Sequence, residues 1–231
     1  MRKIVGILNR INEGATLKEA ERVANVLFEA YAQRRKIKPF TISSEDSKLA
    51  WEILCRKLEK LEGFGGYKIG TSFVGMLTKK MLKFENPVEL VYTVHKAEIE
   101  IVAMVNSAVI DEPQANIKLY LGIELPSSRF EPKPDNKYLL QADNGSSSLA
   151  FVGPEINYSD LKGKFKLELN GNLLSEGSPN YDVSERLRSL IDRFGKIKGY
   201  TFLGNFLEPF QVHRGDIVRV FGSISFEVRF I

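Results

Sequence analysis

The spacing of apolar residues changes part-way along the chain, and this change limits the possible fold more than any other feature. Leu17, Ala20, Val23, Ala24, Leu27, Phe28 and Tyr31 recur three and four apart, as on one face of a helix. Thr16 and Glu19 form a T-x-x-E capping box in front of this stripe. A second helix is expected from Ser43 or Ser44, with Leu49, Ile53, Leu54, Leu58 and Leu61 as its stripe and Gly63, Gly65 and Gly66 as its stop. Later the period falls to two. Residues 98–105 and 117–124 read as strands, and the alternating run 164–169 leads into Asn170-Gly171, a hairpin turn. One helix interrupts, with Val183, Leu187, Leu190, Ile191 and Phe194 on a face and Gly195 after it. Short strands are expected near 199–203, 217–221 and 224–231, with His213–Asp216 as a turn between two of them. Helices early and strands late define an α+β chain. The expected division is a helical part over 1–83 and a β-rich part over 84–231. Residues 126–137, with three prolines and several charges, read as a flexible connection.

The length, 231 residues, suits one domain, or one domain with a helical appendage. Cys55 is the only cysteine, so no intrachain disulfide is possible, which suits a reducing compartment. Its place between Leu54 and Leu58 reads as a packed thiol. No apolar run is long enough to span a bilayer, and Arg10 and Asn12 interrupt any leader-like stretch, so a cytoplasmic protein without membrane contact is expected. The net charge of +4 is uneven. Residues 1–83 carry 17 Lys+Arg against 9 Asp+Glu, a net +8, and residues 84–231 carry 16 against 20, a net −4. The excess is spread along helices, with one cluster at Arg34, Arg35, Lys36 and Lys38, and no nucleic-acid-binding motif accompanies it. Nucleic acid is therefore not expected as a partner. A basic half favours the approach of a small anion.

Three groups of residues carry chemical potential. Glu98 and Glu100, two apart on a strand, project to one face. Such a pair must be solvated, paired with cations or bound to a metal, because adjacent carboxylates resist joint ionisation. The strand is otherwise very apolar, and a third carboxylate, Glu124, ends the next strand. Three carboxylates suit a hard cation such as Mg²⁺ or Mn²⁺. Lys68 sits among glycines in Gly65–Gly70, as a strand lysine exposed to solvent or as a partner for an anion. The run Asp143–Ser148 offers hydroxyls and backbone N–H groups, either as a plain loop or to a ligand carboxylate.

In order and spacing these segments resemble the 2-keto-4-pentenoate hydratase and 4-oxalocrotonate decarboxylase group of the fumarylacetoacetate hydrolase superfamily. The resemblance rests on Gly66–Gly70, on Glu98-Ile99-Glu100-Ile101-Val102, and on Gly122-Ile123-Glu124 followed by Ser128-Arg129. It rests also on Ala142–Ser147, on Asn170-Gly171 and on Val212–Val218. One departure stands out. Where the family carries an aspartate for proton transfer, the chain reads Glu85-Asn86-Pro87-Val88-Glu89-Leu90, with valine at 88 and Glu89 as the nearest acid.

The resemblance implies a β-rich domain of rolled sheets with an N-terminal helical part. It implies a homo-oligomeric lyase of aromatic catabolism that binds Mg²⁺ or Mn²⁺ through Glu98, Glu100 and Glu124. Lys68 and Glu89 would be its catalytic groups, and Asn144, Ser146 and Ser147 would hold the carboxylate of a small 2-keto acid. Hydration of a 2-hydroxy-2,4-dienoate is the expected reaction. Decarboxylation of a related 2-keto acid and a non-catalytic subunit are the alternatives. An acylpyruvate-type C–C hydrolase is disfavoured, because neither His95 nor His213 lies in the helical N-terminal part, where such enzymes place a general base.

Overall fold

The computed structural model describes residues 14–70, 73–91, 96–108 and 117–231. They form two compact units, one from the chain up to Leu61 with Ser128–Ser146, the other from Glu62–Ser127 with Ser147–Ile231. The expected division near residue 83 differs from this. Residues 64–69, 74–78 and 82–83 enter a sheet of the second unit, and 128–146 return to the helices.

In the first unit, α1 (Gly14–Ala32) buries Ala20, Val23, Ala24, Leu27 and Ala30. Thr16 lies inside this helix rather than at its cap, and Glu19 pairs instead with Arg22 at 2.6 Å. α2 (Ser44–Glu62) is capped by Ser43, whose Oγ accepts the Asp46 N–H at 3.0 Å. Its buried stripe is Ser47, Ala50, Trp51, Leu54 and Leu58, turned from the expected one so that the large Trp51 ring is covered. Leu61 is left exposed. The segment read as a flexible connection is pinned at its first half. Phe130 is fully buried and pairs in a bridge with Ile37, with hydrogen bonds of 2.8 and 2.9 Å. Asn136 then caps the short α3 (Lys137–Ala142).

The second unit holds two sheets. The larger has the order β2-β1-β9-β4-β5-β6-β3. Its strands are β1 (Phe64–Ile69), β2 (Val74–Thr78), β3 (Leu82–Lys83), β4 (Glu98–Ala108), β5 (Ile117–Leu125), β6 (Leu149–Ile156) and β9 (Ile197–Asn205). The smaller has the order β11-β10-β7-β8, from β7 (Phe165–Leu169), β8 (Asn172–Gly177), β10 (Ile217–Phe221) and β11 (Ser225–Arg229). The β7–β8 hairpin turns at Asn170 and Gly171, with φ of 54° and 82°, as the Asn-Gly pair requires. Ile99, Ile101, Leu121 and Ile123 of the larger sheet pack with Phe165, Leu167, Val218 and Val220 of the smaller one. Leu187, Leu190 and Ile191 of α4 (Val183–Phe194) close the same core. This α+β arrangement of a curled mixed sheet and an early helical part is the expected fold class. Among the described residues no helix is long and apolar enough to cross a membrane.

Candidate metal centre

The alternation along β4 decides where its carboxylates lie. Ile99, Ile101, Ala103 and Val105 enter the core, so Glu98, Glu100 and Val102 face the other way. Antiparallel pairing with β5 sets Glu98 opposite Glu124 and Glu100 opposite Gly122. A Cβ on Gly122 would meet Val102 Cγ2 at 2.5 Å and the Phe151 carbonyl at 2.8 Å, so this row leaves no room for a side chain. Glu98, Glu100 and Glu124 each offer a carboxylate oxygen, and these oxygens lie within 4.8 Å of one another. Glu100 is fully buried and Glu124 almost so, while Glu98 is half-buried.

Lys68 joins them. Its Nζ lies 2.6 Å from Glu124 Oε1, with both side chains buried, although the angles are not those of a hydrogen bond. β1 runs parallel to β9, with Lys68 opposite Phe202. The flanking glycines make this close pairing possible. A Cβ on Gly66 would fall 1.8 Å from the Tyr200 carbonyl oxygen, and one on Gly199 would fall 2.3 Å from that of Gly65. The glycine pair before Lys68 therefore admits another strand, not a ligand.

Burial and the charge of Glu124 push the Glu100 carboxyl well above the usual carboxylate range, and the charge of Glu98 adds to this. The Gly204 N–H and the Lys68 ammonium pull the other way. Gly204 N donates to Glu100 Oε2 at 2.8 Å. Glu100 Oε1 is buried and receives no hydrogen bond among the described residues. An oxygen in that state is costly unless a proton or a cation fills it.

The other expected site residues are placed as follows. Ser147 is buried in the sheet unit, just before β6. Asn144 and Ser146 belong to the helical unit, within three successive left-handed residues at φ of 54°, 60° and 62°. Asn144 Oδ1 accepts the Trp51 indole N–H at 3.1 Å. Asp143 beside it accepts hydrogen bonds from the Ser128 hydroxyl at 2.8 Å and the Arg129 N–H at 2.9 Å, and forms a buried ion pair with the Arg129 guanidinium. Val88 is buried in the core and bridged to Phe230, and Glu89 is exposed. His213 is exposed, and His95 lies outside the described residues.

Two residues that sequence reasoning missed complete the surroundings of Glu100: Gly204 and Tyr181. A glycine at the end of an expected strand signals a bulge, and this signal was available for Gly204. Tyr181 carries none, because its role depends on contacts across three segments.

No family model matches the sequence, and no curated protein does. Solved structures do. A 4-oxalocrotonate decarboxylase from Pseudomonas putida G7, complexed with magnesium and adipate, superposes with a TM-score of 0.74 at 20% identity, covering 96% of this chain and 99% of the other. A fumarylpyruvate hydrolase from Pseudomonas aeruginosa, in complex with Mn²⁺ and pyruvate, gives 0.52 at 14% identity over 69% of this chain and 78% of that one. A 5-carboxymethyl-2-hydroxymuconate delta-isomerase from Mycobacterium smegmatis gives 0.51 at 11% identity, over 73% and 76%. The fold is thus the one shared by fumarylacetoacetate-hydrolase-type proteins. The first match spans nearly the whole chain, as the ordered motifs implied.

Proposed function

We propose that the chain is a divalent-metal-dependent lyase acting on a small 2-keto acid. The observation that carries this reading is the bare, buried Oε1 of Glu100 beside the carboxylates of Glu98 and Glu124. An all-oxygen, anionic donor set fits Mg²⁺ or Mn²⁺ and leaves coordination positions for a substrate. The metal complexes named for the matched structures support the same cofactor. Such an ion supplies Lewis-acid chelation of the carboxylate and 2-oxo oxygens of a 2-keto acid, and so stabilises enolate charge.

The protein supplies the rest. Glu100 presents one oxygen because Gly204 holds the other. Lys68, buried at 2.6 Å from Glu124, brings positive charge and transferable protons to the edge of the cluster. There it steadies a developing oxyanion or returns a proton to it. Ser147, carried over from the resemblance, is the candidate for holding the substrate carboxylate.

Two reactions share this enolate chemistry. Hydration of a 2-hydroxy-2,4-dienoate to a 4-hydroxy-2-keto acid needs a group to activate water, and the exposed Glu89 is the remaining candidate. Decarboxylation needs no such base: the C–C bond breaks, CO₂ leaves, the electron pair enters the enolate, and a proton is then returned to carbon. Val88, buried in the core where the family carries an acid, favours this second reaction.

The test is calorimetric titration of Mg²⁺ and Mn²⁺ into the wild type and Glu100→Gln, followed by product analysis with a dienoate and a decarboxylatable 2-keto acid. Wild-type binding that drops by more than roughly 100-fold in the variant is expected, since losing even outer-shell partners costs up to that much. Equal binding by both proteins would remove the basis of the proposal.

A further inference from the structure

The pairing of β4 with β9 is interrupted beside Glu100. Glu100 pairs with Asn205 and Val102 with Phe202, so Leu203 and Gly204 together oppose Ile101. This is a β-bulge, with two residues facing one. At a bulge the ladder leaves backbone groups without their regular partners. Here the hydroxyl of Tyr181 takes two of them. It accepts the Ile101 N–H at 3.4 Å and donates to the Gly204 carbonyl at 2.8 Å. Gly204, at φ +101°, adopts a conformation that residues with a side chain rarely reach. Its carbonyl is held by Tyr181 and its N–H by Glu100 Oε2. Two hydrogen bonds on either side of one Cα fix how that residue is turned.

Tyr181 is itself well placed to hold this position. It directly precedes Asp182, the N-cap of α4, whose carboxylate accepts the Ser184 and Glu185 N–H groups at 2.7 and 3.3 Å. The Arg186 guanidinium lies 5.1 Å from the centre of the Tyr181 ring. Burial, with the charge of Glu100 as a lesser cause, pushes the phenol well above its ordinary range, so the hydroxyl stays a donor.

We infer that Tyr181 is a positioning residue for the metal centre: by bridging the bulge it sets Gly204, and through Gly204 it turns Glu100 so that Oε1 is the oxygen left for the ion. This inference rests on the proposed metal site. The hydrogen-bonded path from Tyr181 to Glu100 runs through Gly204. Outer-shell partners that orient metal ligands commonly change metal affinity by about 10–100-fold when removed.

The experiment compares wild type, Tyr181→Phe and Glu100→Gln. Mn²⁺ affinity is read by calorimetry and by the electron paramagnetic resonance of free Mn²⁺, and urea unfolding is followed in EDTA. Tyr181→Phe keeps the ring against Arg186 and removes only the hydroxyl. The expected result is a loss of roughly 10–100-fold in Mn²⁺ affinity in a folded protein. Unchanged affinity with a lowered urea midpoint means that the hydroxyl serves stability alone, and overturns the inference. Wild type and Glu100→Gln that bind Mn²⁺ equally mean instead that the metal-site reading has failed. If Tyr181→Phe does not fold, wild-type protein labelled with ¹³C at the tyrosine Cζ carries the test. The Tyr181 signal is expected to shift on saturation with Mg²⁺, and a signal that stays in place overturns the inference.

Discussion

Lys68 contacts the carboxylate cluster through Glu124, and removing its charge has a calculable consequence. In Lys68→Met the apolar stem remains but the ammonium 2.6 Å from Glu124 Oε1 is lost. Two unit charges 4 Å apart at an effective dielectric constant near 20 attract by about 4 kcal/mol. Breaking a buried pair by removing one partner costs about 3–5 kcal/mol, because the remaining charge is stranded. With a urea slope near 3 kcal/mol per M, that corresponds to a midpoint lower by roughly 1–2 M in EDTA. Mg²⁺ at a hundred times the wild type's dissociation constant stabilises the wild type by about 2.7 kcal/mol. The ion also restores positive charge where the lysine was, and the variant lacks the ammonium that repels the ion in the wild type. The variant therefore gains more than the wild type, and the gap between them narrows. The assay is urea unfolding of both proteins at fixed pH, with EDTA and with Mg²⁺. A difference below about 0.5 kcal/mol in EDTA would refute the argument that Lys68 neutralises the cluster. A gap unaffected by Mg²⁺ would refute the argument that lysine and ion share the same carboxylates.

Two other expectations follow from the same structure. Asp143→Asn leaves the buried Arg129 guanidinium without its carboxylate, so a loss of about 3–5 kcal/mol is expected by urea unfolding, with Arg129→Lys losing less. The Asp182 carboxyl is held below its ordinary range, first by the Ser184 and Glu185 N–H groups. Its stabilising effect is thus present above the ordinary aspartate range and fades as pH falls through the lowered value. Asp182→Ala is accordingly expected to cost about 1 kcal/mol near neutral pH and progressively less in acid, as read from thermal unfolding at several pH values.

The grouping of the three glutamates was legible because it rests on strict alternation. Glu98 and Glu100 fall on one face of β4 by period alone, and β5 follows closely enough that an antiparallel pair brings Glu124 opposite. The Asn170-Gly171 hairpin and the α4 stripe were legible for equally local reasons. What failed depended on distant parts of the chain. β2 and β3 are short and without alternation, so nothing local marks them as sheet members, and in β1 the glycines before Lys68 read as a helix stop. The capping box at Thr16 was overridden because α1 begins earlier. Residues 126–137 carry the composition of a loop, yet Phe130 and Arg129 are buried by partners at Ile37 and Asp143. Val88 shows the converse: the motif marks a missing acid, but only the core packing shows that the valine has become part of the hydrophobic interior.

The parallel pairing of residues 66–68 with residues 200–202 also has a consequence in time. A ribosome adding 5–20 residues per second needs on the order of ten seconds to travel between these segments. During that interval β1 can pair with β2, but its other edge has no partner, and Lys68 lacks the strand that separates it from β4. An open edge in a newly made chain invites pairing with a neighbouring molecule. Gly65 and Gly66 make that waiting edge a weak template, since glycine is a poor strand former. Gly66, which admits β9 later in synthesis, thus also helps to keep strangers from taking its place.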